Sequence, residues 1–225
     1  MKLLPEHIAA AENCIRPFFE RDHSGHDWDH IQRVRRTALF LCKEEGCSDE
    51  LTVDLIALLH DVGDDKLYSS QEEAQSALQS VLQQIQLDDE YLKFILEAVQ
   101  CISYSGGCTQ KQIPIEAAIV RDADRLDAMG AIGIARAFTY GGAIGSRFHD
   151  EKIQVRHEMT KEAYRTEKST VINHFHEKLL KLKDLMLTDS GKKAANHRHK
   201  YMEEFVKQFL KEWGDPHETA DSGKH

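Results

Sequence analysis

The sequence predicts an all-α fold. Apolar residues recur with the 3.6-residue period of a helix along almost the whole chain. The alternating β-branched pattern of strands is scarce, and only four prolines interrupt 225 residues. With 41% hydrophobic and 30% charged residues the composition is that of an ordinary globular protein, long enough to bury a substantial core. The chain reads as one domain over 1–225, with a core over about 20–140 and C-terminal helices over about 165–214 packing on it.

Pro5 suits the first turn of a helix carrying Ile8, Cys14, Ile15, Phe18 and Phe19. A second helix starts near Trp28, places Ile31, Val34, Ala38, Leu41 and Cys42 on one face, and finds its terminator in Gly46. Asp49 can cap a third, LTVDLIALLH, which is apolar around most of its surface and therefore belongs at the centre. Ser70 and Glu73 form a capping-box pattern before Ala74, Ala77, Leu78, Val81 and Leu82. Asp88 or Asp89 opens the next helix, with Leu92, Ile95, Val99 and Ile102 inward, and Pro114 opens another through Ile115, Ile119, Leu126 and Met129. AIGIARAFTYGG reads as a short helix ending at Gly141 and Gly142, followed by an irregular Gly-rich loop to about Arg156. Two long helices close the chain. One carries Val171, Phe175, Leu179, Leu182 and Met186, the other Tyr201, Met202, Phe205 and Phe209, with TDSG as the turn between them. The polar tail GDPHETADSGKH is expected to fray.

A net charge of −9 argues against a nucleic-acid polymer as partner, since such binders neutralise phosphates with Lys and Arg. It leaves room for a small phosphorylated ligand, because a bound cation reverses the field locally. No apolar run approaches the roughly 20 residues that span a bilayer, and MKLLPEHIAA lacks the apolar stretch of a secretory signal. Five cysteines without CxxC spacing read as reduced thiols, and a cytoplasmic location follows.

Three stretches carry chemistry. In ALLHDVGDDK an apolar helix ends by setting an imidazole, His60, beside a carboxylate, Asp61. A carboxylate at the end of such a helix costs several kcal/mol unless it is compensated, and a metal ion compensates it while using the imidazole as a ligand. In HDWDHIQRV, His26 and His30 stand four apart at the head of an amphipathic helix. In IVRDADRLDAMGAIG, Asp122, Asp124 and Asp127 interrupt an Ala-rich helix, and Asp is a poor residue for a helix interior, so each wants a reason. HDWDH also has the His-x₃-His spacing of the HExxH zinc proteases. Asp27 stands where those enzymes need Glu, however, and Gly25 with the polar run before it puts His26 in a loop.

Taken together, His30, His60-Asp61 and Asp124 resemble the H…HD…D signature of the HD superfamily of metal-dependent phosphohydrolases. HDWDHIQRV, ALLHDVGDDK and DADRLDAMGAIGIARAF resemble a bacterial subfamily of small HD proteins, and so do HFHEKLLKLKDLM and TDSGKKAANHRHKYMEEF; the likeness covers most of the chain. It implies a helical HD-domain bundle with additional C-terminal helices. It selects His30 over His26, and Asp124 over Asp122 and Asp127. It further implies one octahedral ion on two imidazoles and two carboxylates. Mn²⁺ or Mg²⁺ suits that set best, with Fe²⁺, Ni²⁺ and Zn²⁺ as alternatives. The subfamily includes an enzyme that hydrolyses nucleoside triphosphates to monophosphate and pyrophosphate. Alarmone hydrolysis, 5′-nucleotidase or phosphodiesterase activity, and a non-catalytic metal-binding signalling module are the competing implications.

The resemblance also distributes roles. Asp64 and Asp65 occupy the place of Glu-Asp in the HDxxED motif of alarmone hydrolases and are the proton-handling candidates, together with His26. Lys66, Arg125, Arg33 and Arg136 are the candidate phosphate-binding cations, and Asp127 a candidate for a ribose hydroxyl or for bracing Arg125. The expected substrate is a small phosphorylated molecule, a nucleotide first, and the C-terminal helices could pair two chains as a homodimer.

Overall fold

The structure is a computed structural model, and it describes residues 3–20, 27–62, 70–102, 113–156 and 169–214. The described residues are helical with turns between. They fall into two compact units, Met1–Asp127 with Met186–Lys192, and Ala128–Leu185 with Lys193–His225.

In the first unit α1 (Pro5–Phe19) packs on α3 (Glu50–Leu59) and α4 (Gln71–Ile85), while α2 (Trp28–Glu44) packs on α3 and α6 (Ile115–Asp127); α5 (Asp89–Gln100) lies against α3 and α6. Local chemistry sets the ends. Asp27, Asp49, Ser70 and Asp88 each accept a hydrogen bond from the backbone N–H three residues on, which satisfies one of the orphan donors of a first turn. Gly46, at φ +66°, supplies the left-handed residue that follows α2. Residues 52–59 of α3 are all buried, as its all-round apolar character requires.

The buried run of α3 includes one charged residue. Asp54 accepts two hydrogen bonds from Arg35 of α2, at 2.7 and 2.9 Å, and Arg35 reaches Glu12 of α1 at 2.8 Å. This network joins the three helices. Removing either central partner leaves a largely desolvated charge, at a cost of about 3 kcal/mol.

Several sequence expectations need correction. In α1 the inward face is Ile8, Ala11, Ile15 and Phe19, whereas Phe18 is exposed, because the 3.6 period from Ile8 lands on Ala11 and Ile15. Ile115 is exposed, and Met129 lies beyond α6 as the residue preceding α7 (Gly130–Ala143). Cys101 is disulfide-bonded, so the reading of five reduced thiols holds for Cys14, Cys42 and Cys47. The odd count of cysteines carried no information about a single pair. Burial first, and then the neighbouring Cys47 side chain, push the Cys42 thiol up to about 12.

In the second unit the expected long helix over 171–186 is split. An α-helix, α8 (Val171–Glu177), passes at Lys178 into a 3₁₀ helix over Leu179–Leu185. Lys178 leaves helical geometry at φ −136°. Leu179 and Leu182 are buried three residues apart, the period of the tighter helix. TDSG is not a turn. Thr188 accepts from the N–H of Gly191, and α9 starts at Asp189 and runs to Gly214. Its first two turns are polar, so apolar periodicity gave no sign of them.

Candidate metal centre

Four side chains from three helices of the first unit converge. His30 enters from the first turn of α2. His60 and Asp61 follow the last turn of α3, and Asp124 comes from α6. Asp27 fixes the entry of α2 by accepting the His30 backbone N–H at 2.7 Å. The Nε2 atoms of His30 and His60 face each other at 3.3 Å. From His30 Nε2 the carboxylate of Asp61 lies at 3.3 Å and that of Asp124 at 3.6 Å; from His60 Nε2 the same groups lie at 3.4 and 3.8 Å.

These separations match a single ion. Donors about 2.1 Å from an octahedral cation stand about 3 Å from their neighbours, and one donor atom each from His30, His60 and Asp124 lies within 4.8 Å of the others. Two nitrogens and two carboxylates form a borderline-to-hard donor set. His30, His60 and Asp61 are each at most 5% exposed, whereas the Asp124 side chain is 34% exposed, so the cluster opens on the Asp124 side.

The ring nitrogens that face away are both held. His60 Nδ1 meets the Ala57 carbonyl at 2.8 Å, and His30 Nδ1 meets Asp127 Oδ2 at 2.7 Å. Burial alone would lower the pKa of His30. Hydrogen bonds to Asp127 and Asp61 and the charges of Asp61 and Asp124 outweigh it, raising the group to about 9. Without a cation, the carboxylates therefore draw a proton onto His30.

The three aspartates of α6 have three different partners. Asp122, fully buried, faces away from the cluster; its carboxylate accepts from the backbone N–H of Leu187 at 3.0 Å, and from the N–H and hydroxyl of Thr188 at 2.8 and 2.7 Å. Asp124 joins the cluster. Asp127 serves His30 and also receives Arg33 through two bonds, at 2.7 and 3.0 Å. Both oxygens of Asp127 are thus engaged by protein donors and Arg33 is turned onto it. Asp127 thus braces Arg33 as well as His30. Arg125 is buried on α6, and Arg136 lies on α7 in the second unit. His26, Asp64, Asp65 and Lys66 lie outside the described residues.

Sequence reasoning passed over Arg121. It sits on α6 one turn before Asp124, on the same face. It is half-buried, and its Nε is shielded from solvent with no hydrogen-bond partner among the described residues. The signal in the sequence was its spacing of three from Asp124, which could have flagged it.

Comparison with known proteins agrees with this geometry. The family described as "HD domain" matches residues 27–129, a span holding all four cluster residues. YpgQ of Bacillus subtilis is 34% identical over 200 residues, covering 88% of this chain and 89% of its own. Its structure in complex with ADP superposes with a TM-score of 0.69 at 31% identity, covering 90% of this chain and 97% of that one. A Lactobacillus plantarum protein superposes with a TM-score of 0.83 at 39% identity, covering 94% and 99%. An HD-superfamily hydrolase from Bacillus thuringiensis does so with a TM-score of 0.68 at 40% identity, covering 93% and 95%.

Proposed function

Because the chain belongs to the HD superfamily of metal-dependent phosphohydrolases, we propose that it hydrolyses nucleoside triphosphates to the monophosphate and pyrophosphate. The observation that carries the reading is the convergence of His30, His60 and Asp124 within reach of one cation, with Asp61 3.3 Å from His30 Nε2 and 3.4 Å from His60 Nε2. The ADP bound by YpgQ supports a nucleotide as ligand.

In the reaction a water oxygen bonds to the α-phosphorus, the α–β bridging P–O bond breaks, and pyrophosphate leaves; the water's protons pass to nearby bases. A divalent ion held by the four ligands, Mn²⁺ or Mg²⁺, supplies Lewis-acid polarisation and a water of lowered pKa. Asp64, Asp65 and His26 are the proposed proton-transfer groups, positioned in sequence directly beside the ligands. Lys66 and Arg125 are proposed to meet phosphate charge, and Arg121 joins them. A shielded Nε that has no acceptor among the described residues gains most from an anionic oxygen, and Asp124's open face is one turn away. A homodimer belongs to the same reading, supported by the exposed Tyr201, Leu210 and Trp213 of α9, and light scattering would test it.

The test is a panel of nucleoside tri-, di- and monophosphates, alarmone and cyclic dinucleotides given to metal-stripped protein with Mn²⁺ or Mg²⁺ restored, with each released anion identified. Pyrophosphate from triphosphates is the expected outcome. Orthophosphate from monophosphates, or cleavage of alarmone alone, would move the chain to another branch of the superfamily. Absence of any turnover in protein that binds metal would leave a binding module.

A further inference from the structure

The two imidazoles of the cluster are backed differently. His60 Nδ1 points at a carbonyl of its own helix, Ala57 O, a neutral acceptor. His30 Nδ1 points at the carboxylate of Asp127, contributed by another helix and 5% exposed. Arg33 stands one turn after His30 on α2. It grips the same carboxylate through Nε to Oδ1 at 2.7 Å and Nη2 to Oδ2 at 3.0 Å. A two-point guanidinium contact fixes the plane of a carboxylate as well as its place.

We propose that Arg33 and Asp127 are positioning residues that make His30 a metal ligand of fixed tautomer. In the metal-loaded form the single ring proton of His30 sits on Nδ1, donated to Asp127. Nε2 then presents its lone pair to the cluster, where Asp61 and Asp124 lie 3.3 and 3.6 Å away. The carboxylate behind the ring raises the donor strength of Nε2, as a carbonyl cannot do to the same degree. Arg33 neutralises Asp127 and stops it rotating, so Asp127 stays behind the ring and the ligand set stays at four. The inference rests on the metal-centre reading and needs nothing from the choice of substrate.

It separates cleanly from the alternative in which Asp127 holds a sugar hydroxyl. Asp127→Asn offers His30 an amide that can donate as well as accept, so the wrong tautomer, with its proton on Nε2, becomes available. Calorimetric titration of metal-stripped protein with Mn²⁺ is expected to show binding weakened roughly 10–100-fold in Asp127→Asn. KM for a nucleoside triphosphate at saturating Mn²⁺ should stay at the wild-type value. Arg33→Gln should weaken Mn²⁺ binding less, with Arg33→Lys between Arg33→Gln and wild type. In protein loaded with diamagnetic Zn²⁺, nitrogen chemical shifts of His30 should report Nδ1 protonated and Nε2 metal-bound in wild type, and a mixed population in Asp127→Asn. Mn²⁺ affinity within twofold of wild type in folded Asp127→Asn, or a raised KM at unchanged Mn²⁺ affinity, would overturn the proposal. If Asp127→Asn does not fold, wild-type Mn²⁺ affinity in both Arg33 variants overturns it. Wild-type protein that binds Mn²⁺ in this way but turns over no nucleotide would remove the proposed reaction and leave this inference standing.

Discussion

His30 bears the heaviest electrostatic load in the cluster, and its behaviour with pH follows from that. Its folded-state pKa, about 9, lies above the ordinary value of 6.5. In metal-free protein the protonated ring therefore stabilises the fold fully below pH 6.5, and that contribution fades as pH rises through about 9. Metal needs the neutral ring. Mn²⁺ uptake at pH 7 should release close to one proton, and affinity should rise with pH up to about 9. Titrations in buffers of different ionisation enthalpy read the proton directly; a count near zero would contradict the charge balance drawn here. Arg121 makes a second prediction at this scale. A hydrogen bond to a charged group is worth about 1.5–3 kcal/mol, so Arg121→Gln should raise KM for a triphosphate roughly tenfold or more while Mn²⁺ affinity stays unchanged. An unaltered KM would leave Arg121 a solvated helix residue.

At the scale of the element, α6 shows how much the sequence revealed and where it stopped. Three aspartates in six positions of an Ala-rich helix signalled that each had work, and each does: Asp122 binds the 187–188 backbone, Asp124 joins the cluster, and Asp127 backs His30. The residues alone did not say which did which; only the family resemblance pointed to Asp124 as the ligand. Beside the Thr188 hydroxyl, the partners of Asp122 are backbone N–H groups some 65 residues away, and no side-chain pattern marks a backbone donor. Gly191 is part of the same anchor, since a Cβ there would stand 2.4 Å from Asp122 Oδ2. Asp122→Ala should strand buried donors at about 1–3 kcal/mol each, and Gly191→Ala should cost about 1–3 kcal/mol by overpacking. Chemical denaturation would measure both, and a loss under 0.5 kcal/mol in each would show that the anchor is dispensable. The helix starts at Asp49 and Asp88 and the stop at Gly46 were readable because capping is local chemistry. The break at Lys178 was not, because Val171, Phe175, Leu179 and Leu182 satisfy an α-helical period as well as the α-to-3₁₀ path the chain takes.

At the scale of the molecule, the first unit carries the metal cluster whole. The second unit has its own aromatic core, where Phe138 of α7 stands 5.0–6.3 Å from the rings of Phe148, Phe175, Phe205 and Phe209. Among the described residues no helix is long and apolar enough to cross a membrane. Under the proposed function, the charge of −9 and the carboxylates of the cluster fit a phosphate ligand met through a bound cation rather than through a broad basic surface.

The central claim is that one divalent ion on His30, His60, Asp61 and Asp124 enables phosphohydrolysis. It is tested most directly by titrating metal-stripped protein with Mn²⁺ while following pyrophosphate release from a nucleoside triphosphate, in wild type and in Asp61→Ala. The account predicts release that starts from zero, saturates at one ion per chain, and is lost in Asp61→Ala. Full release without metal, or an Asp61→Ala protein that matches wild type, would contradict it.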